Sequence, residues 1–123
     1  MTWHTTVSSE FSIIEVCYAG EIDQGQLVAS AEEVLELLET HARCRVLSDC
    51  TAMEGGYTRL DLFRLAEMIQ QKCKIRKLKN AIISTGIGNK AENTEFWETT
   101  CEFREIRVFV CNNRQDAIEW LRQ

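Results

Sequence analysis

Apolar residues along this chain keep two rhythms by turns. Runs of strand length at Ser12–Tyr18, Arg45–Leu47, Ala81–Ser84 and Ile106–Cys111 alternate with stretches where apolar positions recur at helical spacing. That order predicts βαβ units on a largely parallel sheet, hence an α/β domain. Trp3–Ser8 and Phe11–Tyr18 are rich in β-formers and parted only by Ser9-Glu10, which predicts an opening hairpin. The chain closes on Val108-Phe109 and Ala117-x-x-Trp120-Leu121, a last strand and a last helix.

Caps mark where the helices start. Asp23 with Gln26 forms a capping box, in which each side chain accepts a backbone N–H from the other residue. It opens a helix over about Gln24–Thr40, with Leu27, Ala31, Val34, Leu35 and Leu38 as the buried stripe. Glu32, Glu33, Glu36 and Glu39 take the wet side. Cys44–Asp49 is the next strand. Thr58 and Asp61 repeat the capping box and open a helix to about Cys73, with Leu62, Leu65, Ala66 and Ile69 facing in. Asn80–Thr85 reads as a short strand, and Asn89–Phe103 as a helix through Phe96, Trp97, Thr100 and Cys101. Asn113 caps the last helix, with Asp116 at its third position. No proline, linker, repeat or low-complexity tract breaks the series, so residues 1–123 are expected to form one domain. Its sheet is expected to be mixed but mostly parallel, with about five strands and four helices mainly on one face.

A chain of 123 residues buries about two-thirds of its unfolded surface. No apolar run approaches the roughly 18–20 residues that span a bilayer, and no basic segment leads into an apolar one at the N-terminus. The expectation is a cytoplasmic protein that does not span a membrane. A net charge of −5 speaks against nucleic acid, which rewards a basic face. The six cysteines (Cys17, Cys44, Cys50, Cys73, Cys101 and Cys111) are scattered, with no C-x-x-C pair. They read as reduced thiols in small apolar positions. Neither His4 nor His41 has ligand spacing to a cysteine, so no metal and no cofactor is expected.

In an open parallel sheet, ligands gather where the βα loops leave the carboxyl ends of the strands. The expected rim comprises Ala19–Gly25, Asp49–Tyr57, Thr85–Asn89 and Cys111–Asn113. The loop from Asp49 to Thr58 exceeds the usual two to six residues of such connections, is polar, and carries a glycine pair. Asp49, Glu54, Gly55, Gly56, Tyr57 and Thr58 are therefore the candidate partner- or ligand-binding residues. Thr58 starts a helix, where free N–H groups favour an anion, so it is also a candidate phosphorylation site. Gly86-Ile87-Gly88-Asn89-Lys90 fails the P-loop spacing, and the acidic rim (Glu21, Asp23, Asp49, Glu54) would repel phosphates. No catalytic constellation is visible: both histidines lack a partner acid or nucleophile, and Asp49 beside Cys50 disfavours a thiolate. Lys72, Lys74, Arg76, Lys77 and Lys79 form a basic cluster that reads either as a solvated helix end or as a docking patch for an acidic surface.

Several stretches give the chain a family resemblance. Arg45-Val46-Leu47-Ser48-Asp49 leads into Met53-Glu54-Gly55, followed by Asn80-Ala81-Ile82-Ile83. The closing Glu105-Ile106-Arg107-Val108-Phe109 with Ala117-Ile118-Glu119-Trp120-Leu121 is the most specific piece. Together with the element order they resemble the SpoIIAA-like, or STAS, fold, and its uncharacterised STAS/SEC14 domain-containing branch. The resemblance covers essentially the whole chain and implies a small cytosolic domain with sequentially ordered strands. It relates the chain to anti-sigma factor antagonists and to lipid-binding SEC14-type domains. In the antagonists a phosphorylated Ser follows an Asp at the start of the helix after the third strand. The matching position here is Thr58, preceded by Tyr57 and followed by Arg59.

The expected function is a non-catalytic interaction or regulatory module acting on a protein partner through the loop after the third strand. The alternative is a carrier of a small apolar or lipid-like ligand in a SEC14-related pocket. One sheet face is expected to be mixed, with Glu15, Cys17, Arg45, Asp49 and Arg107 beside Phe11, Ile13, Leu47 and Phe109. Such a face suits partial cover, and a homodimer is the expected assembly.

Overall fold

The computed structural model describes residues 2–9, 11–84 and 89–123, with side chains from 92 onward in the last stretch. Its elements are β1 (Trp3–Ser8), β2 (Ile13–Glu21), α1 (Gln24–Thr40), β3 (Arg45–Gly55), α2 (Arg59–Lys72), β4 (Lys79–Ile83), α3 (Asn89–Glu102), β5 (Arg107–Cys111) and α4 (Arg114–Leu121). The five strands lie in sequence order. β1 pairs antiparallel with β2, and every later neighbour is parallel. Ser12, at φ 58°, makes the left-handed step in the hairpin turn.

Alternation along the strands sorts side chains onto two cores. Ile14, Val16 and Val46 face α1, α2 and α3, which close over them with Leu27, Val34, Leu38, Leu62, Leu65, Ile69 and Cys101. Ile13, Leu47, Ala81 and Ile83 face the other way, onto Ala117 and Leu121 of α4. The helices thus divide unequally, with α4 alone on the second face. The expected mixed face lies there. Trp120 stacks on Phe109 with ring centroids 5.3 Å apart, and Arg114 of α4 holds Glu15 through both guanidinium nitrogens.

Both capping boxes form. Asp23 accepts the Gln26 N–H at 2.9 Å and Gln26 accepts the Asp23 N–H at 3.0 Å. Thr58 and Asp61 repeat the exchange at 3.1 and 2.9 Å. α1 buries one residue that its apolar stripe did not predict, Ser30, whose hydroxyl meets the Tyr18 hydroxyl at 2.8 Å. The six cysteines are free thiols, but only Cys101 is fully buried.

The largest departure from expectation concerns the long loop. β3 does not stop at Asp49 but continues to Gly55, because β2 also runs on to Glu21 and supplies backbone partners. Only Gly56, Tyr57 and Thr58 remain as a connection to α2. Polar, glycine-containing sequence read as loop here because local composition does not report a neighbouring strand.

Candidate functional site

An extra residue in the β3 extension shapes the site. Cys17 pairs with Asp49, but Ala19 pairs with Ala52, so β3 gains one residue on β2. In a regular strand Cys50 and Met53 would face opposite sides; the bulge brings both to the three-helix side. There they line a cavity of about 90 Å³ under α1, α2 and α3. Its apolar wall includes Leu27, Met53, Leu62, Leu65, Ile82 and Trp97. A second cavity of about 80 Å³ lies alongside it on the same face and shares Tyr18, Ser48, Leu65, Asn80 and Trp97 with the first.

The shared wall carries the polar groups. Asn80 donates to the Ser48 hydroxyl at 3.0 Å and accepts the Trp97 indole N–H at 3.2 Å. These bonds let an amide sit 9% exposed inside an otherwise apolar strand. Tyr18 is held by Ser30, and burial pushes its phenol pKa well up. Tyr57 stands at the mouth. Burial, then the neighbouring Cys50, raises its pKa, while a hydrogen bond with Asn93 of α3 opposes them. The phenols are thus neutral hydrogen-bonding groups, and the cavity is apolar with a few fixed polar contacts.

The residues singled out from sequence do not converge. Tyr57 reaches the cavity mouth. Asp49 points to the α4 face, where its carboxylate accepts the Thr51 N–H at 3.1 Å and the Thr51 hydroxyl at 2.7 Å. Glu54 is exposed. Gly55 and Gly56 have a structural reason. The Gly55 carbonyl accepts the Ile22 N–H at 2.7 Å, and a Cβ on Gly56 would stand 2.9 Å from the Ile22 carbonyl oxygen. Thr58 is exposed, and its hydroxyl oxygen already caps α2. The stretch 85–88 of the expected rim lies outside the described residues, and so do the side chains of Asn89 and Lys90. Missed altogether were Tyr18, Ser48, Asn80 and Trp97. Asn80, a lone amide beside Ala81-Ile82-Ile83, was the legible signal, since a buried polar side chain needs partners.

On the other face the chemistry is different. Glu15 and Asp49 flank Cys17, and burial followed by these two carboxylates raises its thiol pKa. That thiol is a poor nucleophile. His4 is exposed on β1, and His41 is the exposed C-cap of α1. Lys72 of the basic cluster pairs with Glu32 of α1 at 3.3 Å within the same chain.

A family model described as SpoIIAA-like matches residues 13–122. The chain belongs to the SpoIIAA-like family. Among solved structures, an uncharacterised protein of the DUF3478 family from Shewanella loihica PV-4, with a SpoIIAA-like fold, superposes with a TM-score of 0.60. The two are 16% identical, and the match covers 97% of this chain and 91% of that one. At that identity the likeness carries the fold alone. No curated protein matches the chain. SpoIIAA-like domains are STAS-type modules that serve in general for protein interaction and are generally non-enzymatic. Among the described residues no helix is long and apolar enough to cross a membrane.

Proposed function

We propose that this SpoIIAA-like chain is a non-catalytic binding module that carries a small, largely apolar ligand between its sheet and its three-helix layer. The observation behind this reading is the pair of adjoining cavities, apolar in their walls and joined by the Ser48–Asn80–Trp97 contacts. Dry apolar cavities of about 150 Å³ admit benzene or xenon, so the pair suits a compact ring or short chain rather than a whole phospholipid. Tyr18, Tyr57 and Asn80 offer hydrogen bonds to one polar end of such a ligand, and the end of β3 with Gly56–Thr58 forms its mouth. Native mass spectrometry of freshly purified protein tests the reading. A bound organic mass is expected in the wild type and is expected to vanish in Cys50→Phe, which fills the cavity. A bare wild-type mass would contradict it.

A second reading, a partner-protein surface on the Asp49–Thr58 stretch, has its own support. Beyond Asp49, β3 is paired with β2 alone among the described strands, and Glu54 is exposed beside that edge. Such an edge suits docking of another chain. Pull-down with Glu54→Ala/Tyr57→Ala should then lose partners that the wild type retains. In this reading, phosphate on Thr58 would rest on the free N–H groups of α2 but face the Asp61 carboxylate, acting as a charge switch at the mouth.

A further inference from the structure

The opposite end of the sheet, away from the cavity mouth, holds a row of three cations. Arg45, Lys79 and Arg107 are the first residues of β3, β4 and β5. The parallel register pairs Arg45 with Lys79 and Lys79 with Arg107. Each shares a face with Leu47, Ala81 and Phe109, two residues further along its strand, so all three stand on the α4 side. Neighbouring strands lie about 4.8 Å apart, which sets the outer two roughly 10 Å from each other at the backbone.

Like charges in such a row repel, and little among the described residues offsets them. Lys79 is 8% exposed, and among the described residues its ammonium donates to the Gln123 backbone oxygen at 2.8 Å and lies 5.2 Å from the Trp120 ring. Arg107 lies over the same ring at 5.7 Å. Among the described residues, the ion pairs are Arg59–Glu92, Lys72–Glu32 and Arg114–Glu15, and none reaches the row. Burial first, then Arg107 and Arg45, lowers the Lys79 pKa, while Cys44 opposes them. The row opens onto a depression of about 870 Å³, to which Arg76, Lys77 and Arg104 also contribute and in which Glu105 is the one acid among the described residues. Glu98 and Glu102 line an adjoining depression with Arg107. Arg104 is turned to the Thr100 carbonyl and hydroxyl, both at 2.9 Å. Six of the fourteen Lys and Arg residues of a chain of net charge −5 thus line one concavity.

We infer that the Arg45–Lys79–Arg107 row binds a small, soluble anion bearing more than one phosphate group. Guanidinium forks at the two ends suit separate phosphate oxygens, and the central ammonium supplies a point charge between them. A single small anion would neutralise one neighbour and leave the others, whereas a di- or triphosphate spans the row. The concavity favours a compact ligand over an extended polymer. The three cations stand on the α4 side of their strands, but the depression runs round the sheet end and shares Ile69, Leu78 and Ile106 with the second apolar cavity.

Calorimetric titration of inorganic triphosphate into the full chain at low ionic strength tests the inference. Saturable binding with one ligand per chain is expected. Arg45→Gln/Arg107→Gln should weaken it at least about ten-fold, a loss of roughly 1.4 kcal/mol. Lys72→Gln/Lys74→Gln removes the same charge outside the row and should stay within about two-fold of wild type. Lys79→Met keeps the aliphatic stem on Trp120, so it should lose affinity while melting no lower than wild type. Absent saturable binding, or equal weakening by both double variants, would overturn the inference. So would row-dependent sedimentation with phosphatidylglycerol vesicles in the absence of triphosphate binding, which would assign the row to a lipid surface instead.

Discussion

The two faces of this sheet are built from the same strands and do opposite work. On one, α1, α2 and α3 cover nearly every inward side chain and yet leave two small cavities bridged by Asn80. On the other, the eight residues of α4 cover only the middle. Leu47 and Ala81 are sealed there, with Glu15 level with Leu47 at the edge of the same row, while Asp49 stands at one end and Arg45, Lys79 and Arg107 at the other. Cover by several helices creates interior space that can hold an apolar ligand. Cover by one short helix leaves charged rims. The strand sequences encode both faces at once, apolar on both sides where helices lie and polar on one side where they do not.

If the two faces differ in packing as described, truncation should cost more where no void exists. Leu121→Ala, on the fully buried α4 contact, should lose about 3–4 kcal/mol of stability in urea titrations, against about 2–3 kcal/mol for Leu65→Ala on the cavity wall. Equal losses would mean that the cavity wall is as tightly packed as the α4 face. Next comes the polar bridge. Asn80→Leu removes the partner of both the Ser48 hydroxyl and the Trp97 indole and should cost about 2 kcal/mol, with a shift in Trp97 fluorescence.

How far the sequence went is visible in particular residues. The α1 and α2 boxes, Asp23/Gln26 and Thr58/Asp61, were legible because capping is a local exchange between neighbours in the chain. The four buried residues of α2, Leu62, Leu65, Ala66 and Ile69, followed from helical period alone. The β3 extension was not legible, because its hydrogen bonds are made to β2, which is remote in sequence. That error placed Asp49, Glu54 and Tyr57 on one loop, whereas alternation and the bulge send Asp49 and Tyr57 to different faces. Ser30 was passed over for a similar reason: a serine on an apolar stripe becomes a buried partner only once Tyr18 is known to face it.

A smaller effect sharpens the contrast in solvent access. Burial pushes the Cys101 thiol pKa up to about 12, against an opposing pull from Arg104. In the unfolded chain a thiol ionises near pH 8.5. A pKa raised by folding contributes stability that is complete below the unfolded value and lost as pH rises toward the folded one. Stability should therefore fall above about pH 8.5, and Cys101→Ala should make that fall shallower in urea midpoints measured up to about pH 10. An unchanged slope would show that water reaches Cys101 in the folded state.

The most direct measurement of the cavity account is an NMR titration of the full chain with benzene, a probe that dry apolar cavities accept. Saturable shifts are expected at Met53, Leu62, Ile82 and Trp97, with Phe109, Ala117 and Leu121 unmoved across the sheet. Shifts of equal size on both faces, or none at saturation, would contradict the assignment of the three-helix face as the ligand-carrying side.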